Sequence, residues 1–327
     1  MKGKQEKREW FRVALQLRGS VIPSILPRTV LCGCFGLVIS GLFAAGFPVS
    51  QPIFGTVIPS IVLGLLLVFR TNTAYERFWE GRKCWGTLNN STRNLARRIW
   101  IAVVEREPQD RTEKIAVLKL LVAFAVAMKL HLRQEPVNSE LEHLVSSNQY
   151  LKLQGMNNPP LEIAFWIGDY LQEQYYRGGL KWHELHATNR LLNDLVDMLG
   201  GCERILKTPM PLAYAIHLKQ LLLIYCLLLP FQMVHDLQWW TCPIVALISF
   251  TLFGIEEIGI EIENPFGHDA NDLPLDAICA TMLRNIEDLI TLTPRSCSFT
   301  NRVKKSQVKT PTLLPSGSGL ASQELES

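Results

Sequence analysis

No Lys, Arg, Asp or Glu occurs between Thr29 and Phe69, and no Lys or Arg between Gln220 and Leu283. Charged residues make up 19 % of the chain and apolar ones 48 %. The average charge is therefore only modestly below the roughly 25 % of soluble proteins, but the deficit is concentrated in two zones. Other absences narrow the function. None of the 8 cysteines forms a C-x-x-C pair, which removes the usual zinc and redox motifs. Several cysteines fall in apolar stretches, where the residue acts as a small hydrophobe in reduced form. The net charge of +3 comes without a basic stripe carrying interleaved aromatics, so a nucleic-acid partner is excluded. No strand-type alternation is found. His183-Glu-Leu-His186 lacks the spacing of a zinc-protease helix, and no nucleophile motif accompanies it.

What is present fits a membrane chain. Residues 1–28 form a basic leader with Trp10, Phe11, Ala14 and Leu15 at helical spacing, predicting a cytosolic N-terminal helix. A first span runs from about Thr29 to Phe47, long enough for a hydrocarbon core of roughly 30 Å. Gly33, Gly36, Ser40, Gly41 and Ala45 stud it, allowing another helix to approach closely. Pro48 and Pro52 break the chain before a second span, Ile53 to Phe69, which ends at Arg70. Pro209 and Pro211 introduce a third span from Leu212 to Val234. A fourth runs to about Ile258 after Trp239-Trp240, whose rings suit the headgroup region. The short connections 48–52 and 235–238 lack Lys and Arg, whereas 1–28 and 70–98 are rich in them. Both termini and the centre of the chain are therefore expected in the cytoplasm.

The predicted organisation is all-α: a transmembrane hairpin over 29–70, a cytosolic helical region over 71–210, a second hairpin over 211–258, a cytosolic segment over 259–294 and a flexible tail over 295–327. Within the central region, Ile115 to Leu132 is apolar, but Lys119 and Lys129 bracket too short a run to span, which predicts a buried soluble helix. Pro136 to Pro160 reads as a loop with a helical turn or two. Leu161–Gly178 and Trp182–Leu206 read as amphipathic helices.

On the second span, Val57, Ile61, Leu65 and Phe69 recur every four residues, one apolar stripe on a helix, with Ser60 and Gly64 beside it. Copies gathered about an axis would turn this stripe into hydrophobic rings about 6 Å apart, a constriction that gates by dewetting. The plainer alternative is a stripe facing lipid or another span. Arg70, Glu76, Arg77, Glu80 and Arg82 follow at helical spacing, which predicts local pairs three or four residues apart, or pairs with another subunit.

The run Arg70-Thr-Asn-Thr-Ala-Tyr75-Glu76-Arg77-Phe78-Trp79-Glu80 with Arg82 and Trp85-Gly86 resembles the bestrophin family, in particular its prokaryotic and plastid branch. So do Gly200-Gly-Cys-Glu-Arg204 with Thr208-Pro-Met-Pro211, and Glu263-Asn-Pro-Phe-Gly267 with Asn271-Asp-Leu-Pro274. The resemblance implies a homopentameric ion channel with four spans per subunit and a helical cytosolic portion. It places the pore helix at 53–69 and the neck at Val57, Ile61 and Leu65. It implies passage of chloride and other monovalent anions; these aliphatic neck residues, where animal members carry aromatic ones, leave a monovalent cation channel as the alternative. It puts a second, cytosolic constriction near His186, where a histidine ring would titrate near its unperturbed pKa of about 6.5. Asn264, Asp269 and Asp272 resemble calcium-clasp positions. A cation there needs six to eight oxygens, and the same residues also read as a turn and a helix start. The expected partners are copies of the chain, membrane lipids and permeant ions. The expected setting is a prokaryotic inner (plasma) membrane or an internal photosynthetic one. A membrane-bound enzyme would need a reactive cluster that is missing. A carrier would need matching Gly- or Pro-broken spans, which the two hairpins do not share.

Overall fold

The computed structural model describes residues 15–51 and 57–293, except the side chains of Val57 and Ile58. Most of the expected N-terminal helix, the first residues of the second span and the C-terminal tail lie outside the described residues. Among the described residues, ten α-helices and one 3-10 turn follow in order: α1 Ile22–Ala44, α2 Val57–Ala102, α3 Pro108–Arg133, α4 Ser139–Glu142, α5 Ser147–Gln154, α6 Pro159–Tyr176, α7 Trp182–Lys207, α8 Leu212–Leu237, the 3-10 turn Gln238–Trp240, α9 Thr241–Glu261 and α10 Leu275–Thr291. No strand occurs among the described residues.

Two hydrophobic clusters divide the chain. The smaller joins Ile25, Cys32, Leu63, Leu67, Leu218, Leu222, Cys226, Leu229, Val245 and Phe253, drawn from α1, the start of α2, α8 and α9. The small residues of α1 meet α9 as their spacing suggests. A Cβ on Gly33 would lie 3.1 Å from the Ala246 Cβ, and one on Gly36 would lie 3.4 Å from the Cys242 Cα. The Ser40 hydroxyl bonds back to the Gly36 carbonyl at 2.9 Å and reaches the Gln238 carbonyl at 3.0 Å. α1 starts before the expected Thr29 because Pro23 in its first turn is compatible with helix initiation. Arg28 stays inside the helix by pairing with Glu257 of α9 at 3.2 Å. Pro27 and Pro230 lie within α1 and α8, which run on without interruption.

The larger cluster lies on α2, α3, α6, α7 and α10. Here α2 departs from the expected boundary at Arg70. It is one helix of 46 residues, about 70 Å long, so the apolar segment and the charged segment are a single rod. Nothing between Phe69 and Thr71 breaks it: the residues there lack Gly and Pro, and the hydroxyls of Thr71 and Thr73 bond back to the Leu67 and Phe69 carbonyls.

By length and composition α3 would cross a membrane, yet 78 % of its apolar window is buried inside the protein. Its lysines show how it is kept there. Lys114 is wholly buried, donates to the Val103 carbonyl at 2.7 Å and Glu105 at 3.1 Å, and lies over the Trp100 ring at 5.0 Å. Lys129, 1 % exposed, donates to Glu140 at 2.6 Å and to Asp276 of α10 at 2.7 Å. Arg133 adds a second bond to Asp276 at 3.0 Å. A lysine can be buried when its ammonium is paired and hydrogen-bonded, and each of these two meets two oxygens.

The Lys129 ammonium hydrogen bond holds the Asp276 carboxyl down at about 2, against partial desolvation and with help from Arg133. The pair's contribution is complete above the ordinary aspartate value near 3.9 and is lost as pH falls through the lowered one. Asp276→Asn should therefore lower stability at pH 7 by about 2 kcal/mol, less than for a fully enclosed pair because Asp276 remains largely exposed. Thermal unfolding in detergent should show the gap between wild type and variant closing as pH drops from roughly 4 towards 2.

Candidate functional site

The lower face of α2 shows what its apolar stripe can do. Leu63 and Leu67 are 3 % and 2 % exposed and pack into the smaller cluster, and the Tyr214 hydroxyl donates to the Leu66 carbonyl at 2.7 Å. That fixes the rotation of α2 about its axis. Ile61, Leu65 and Phe69, on the other face, remain 56 %, 50 % and 59 % exposed in the single chain. A Cβ added to Gly64 would meet nothing within 4 Å, so the surface beside the stripe is open to a neighbouring helix. Val57 stands at the helix start, and its side chain lies outside the described residues. Each uncovered aliphatic side chain forgoes about 1.5–3 kcal/mol of burial if left in water, so this face belongs against lipid, against other copies of the chain, or around a narrow dry passage.

Immediately below the stripe, three distant segments converge. Arg70 is 3 % exposed and faces Glu263 at 3.7 Å. The Glu263 carboxylate also accepts the Met210 backbone N–H at 3.0 Å, and its own carbonyl accepts from Arg77 Nε at 3.2 Å. Arg77 further donates to the carbonyl of Ile205 at 2.6 Å and to that of Thr208, which ties off the C-terminus of α7. Glu80 pairs with Arg204 of α7. Gly81 lets the next loop dock, since a Cβ there would lie 3.1 Å from Pro265 and 3.2 Å from Phe266. The charges after Arg70 thus act across the tertiary fold, and the expected pairing along the helix is replaced by contacts with α7 and the 263–267 loop. The reason is geometric: α2 lies along α7, so its arginines reach carbonyls that the end of α7 leaves unpaired. Glu263 is the hub. Its signals in the sequence are its place at the head of the Glu263-Asn-Pro-Phe-Gly267 motif and just after an apolar span, in a chain whose other span ends in an arginine.

The remaining candidates are not brought together with the stripe. His186 lies in the first turns of α7, exposed, with its ring 6.4 Å from that of Trp182. Asn264, Asp269 and Asp272 share the loop before α10, where the side chains of Asn264 and Asp272 bond to the loop's own backbone. Asn264 Oδ1 accepts from the Phe266 N–H at 3.4 Å, and Asp272 Oδ2 accepts from the Asp269 N–H at 2.8 Å. Burial pushes the Asp272 carboxyl above its usual range, opposed by that N–H. Pro274 caps the start of α10. Among the described residues no group of three or more His, Cys, Asp or Glu side chains could hold a metal ion. One oxygen each of Asn264 and Asp272 is taken by the turn, and three side chains alone supply fewer than the six to eight oxygens of a calcium site.

Glu263→Gln keeps an acceptor for Met210 but leaves the buried Arg70 guanidinium without a counter-charge. The expected loss is about 3 kcal/mol, read as a lower midpoint of thermal unfolding in detergent. An unchanged midpoint would remove the junction from the list of stabilising contacts.

Comparison with known proteins agrees with this arrangement. The family profile described as Bacterial/Fungal Bestrophin protein matches residues 2–288. A voltage-dependent anion channel-forming protein from a Nostoc species is 67 % identical over 288 residues, covering 88 % of this chain and 94 % of the relative. One with the same description from a Synechocystis species is 58 % identical over 287 residues, covering 88 % and 94 %. The crystal structure of a bacterial bestrophin homologue from Klebsiella pneumoniae aligns with TM-score 0.73 at 30 % identity, covering 84 % of this chain and all of that one. The stripe-bearing helix and the junction beneath it are therefore those of an all-helical integral membrane protein, and the chain belongs to the bacterial and fungal bestrophin family.

Proposed function

We propose that this protein is an anion channel, passing chloride and other small monovalent anions through a central pore lined by α2 from five copies of the chain. The observation that carries this reading is the uncovered face of Ile61 and Leu65, on a helix whose opposite face is fixed inside its own subunit. Related proteins described as anion channel-forming, at 67 % and 58 % identity, support the choice of anion over cation. Each subunit contributes four spans, α1, the start of α2, α8 and α9, with both termini and the larger cluster on the cytoplasmic side. That orientation follows the distribution of Lys and Arg. Trp239 and Trp240, 58 % and 71 % exposed, suit the opposite interface.

The neck works by dewetting. A ring of aliphatic side chains offers water no hydrogen bonds, so a narrow enough ring empties and blocks ions until it widens. Val57, Ile61 and Leu65 would form successive rings of this kind. Selectivity then comes from the charge around the pore mouth more than from the neck, which has no polar group to coordinate an ion. The exposed Arg82, Lys83, Arg93 and Arg97 further along α2 favour anions on that path. His186, at the far end of α7 and exposed, suits the second constriction on the same path. Catalysis has no place in this scheme, because the relatives are described as channel-forming proteins.

Purified protein in liposomes should give a reversal potential that follows the chloride gradient; one that follows sodium or potassium would overturn the anion assignment. Ile61→Ala should widen the neck and raise chloride flux by roughly twofold or more. Equal flux in variant and wild type would remove Ile61 from the constriction.

A further inference from the structure

A cavity of about 600 Å³ opens between α3, α6 and the segment 143–149. No residue of α2 or of the Arg70–Glu263 junction lines it, so it is separate from the apolar stripe and its supports. Trp166, Asp169, Tyr170 and Glu173 follow on α6 at i, i+3, i+4 and i+7, which puts them on one face as the first wall. Glu113, Ala116 and Leu120 on α3 build the second at the same kind of spacing, and Leu144 and Val145 close the third side. The two helices are pinned at one end by Arg177, which meets Asp110 at 2.8 Å and Glu113 at 3.5 Å. The walls are therefore set by the fold.

Three observations describe what this cavity suits. Tyr170 is 9 % exposed, and its enclosed hydroxyl has no hydrogen-bond partner among the described residues. Buried polar atoms in folded proteins are nearly always satisfied by protein, water or ligand. Asp169 is exposed and, among the described residues, makes no hydrogen bond or ion pair. The charge balance is acidic. Arg177 alone serves Asp110, Glu113 and Glu173, one guanidinium against three carboxylates, before the unpaired Asp169 is counted. Lys119, with His143 when protonated, is the opposing charge on the lining. Burial, with the carboxylates of Glu113 and Asp110, pushes the Tyr170 phenol above its usual range, so it stays a neutral hydroxyl able to accept from a cation. Leu120, Leu144, Val145 and Trp166 supply apolar and aromatic surface beside these groups.

We propose that this cavity is a binding site for a small primary amine with an apolar body. The ammonium lies against the acidic face of α6, paired with Asp169 and donating to the Tyr170 hydroxyl. The body covers Leu120, Val145 and the free part of the Trp166 ring, whose other contact is the Lys152 ammonium at 5.6 Å. An apolar cleft with a few convergent polar groups is the usual form of a small-molecule site, and here the polar groups select a positive charge.

The test is isothermal titration of full-length protein in detergent at pH 7.5 with phenethylamine, and in parallel with 3-phenylpropanoate, which has a similar body and the opposite charge. The amine should bind saturably with a Kd of about a millimolar or below, and the acid should not. Asp169→Asn should weaken the amine by roughly tenfold and Tyr170→Phe by roughly threefold or more. Both variants should keep the wild-type midpoint of thermal unfolding, because Asp169 has no partner to lose and the Tyr170 ring is retained. Equal affinity for amine and acid, unchanged amine affinity in Asp169→Asn, or no binding by the assembled protein, as when a neighbouring copy covers the cleft, would each overturn the proposal. The readout is binding alone, so its outcome is independent of the anion-channel reading.

Discussion

A guanidinium enclosed where an apolar helix bundle meets a polar one has to find an acid, or the helix carrying it cannot stay. Arg70 is in that position, 3 % exposed with Glu263 opposite. The same carboxylate receives the Met210 N–H at the approach to α8, while Arg77, two turns further along α2, holds the end of α7. One charge requirement therefore brings the end of α7, the start of α8 and the end of α9 to a single level on α2. Displace Glu263 and the buried cation loses its counter-ion, the start of α8 loses a backbone partner, and the loop seated on Gly81 loses its anchor.

This junction also explains why α2 can be one rigid rod through two environments. Its first part is held by Leu63 and Leu67 in the apolar cluster, and its later part by Trp85, Leu88 and Leu95 in the larger one. Because both grips lie on the same helix, the rotation that exposes Ile61 and Leu65 is coupled to the packing of α7. The stripe and the α2–α7 seam thus sit on one unbroken helix.

Burial of lysine in α3 makes a related point about energetics. Apolar length alone matches a membrane span, and the helix instead lies inside the protein because Lys114 and Lys129 find oxygens there. In hydrocarbon the same two ammonium groups would have to be stripped of partners or drawn to an interface. Ion pairs that add little to stability at a surface here decide which solvent a helix occupies.

Much of the architecture was legible in residue order. The two zones without basic residues coincide with the helices that build the smaller apolar cluster, the four-residue recurrence of Ile61, Leu65 and Phe69 located an apolar face, and Gly33 and Gly36 marked a close helix contact. These are properties of one helix at a time, and lipid solvation, helical period and side-chain size act locally. What the chain alone left open needed distant partners. Whether Arg70 ends a helix or continues through it depended on Glu263; whether Glu80 pairs along its own helix or with Arg204 depended on how α2 lies on α7. At 264–272 the sequence admitted either cation ligands or a turn, and the tertiary structure shows Asn264 and Asp272 bonded to their own loop. Periodicity determines which side chains share a face, but only tertiary packing determines what that face meets, because the free energy of a buried charge is set by neighbours far away in sequence, as with Arg77 and the Glu263 carbonyl, separated by 186 positions.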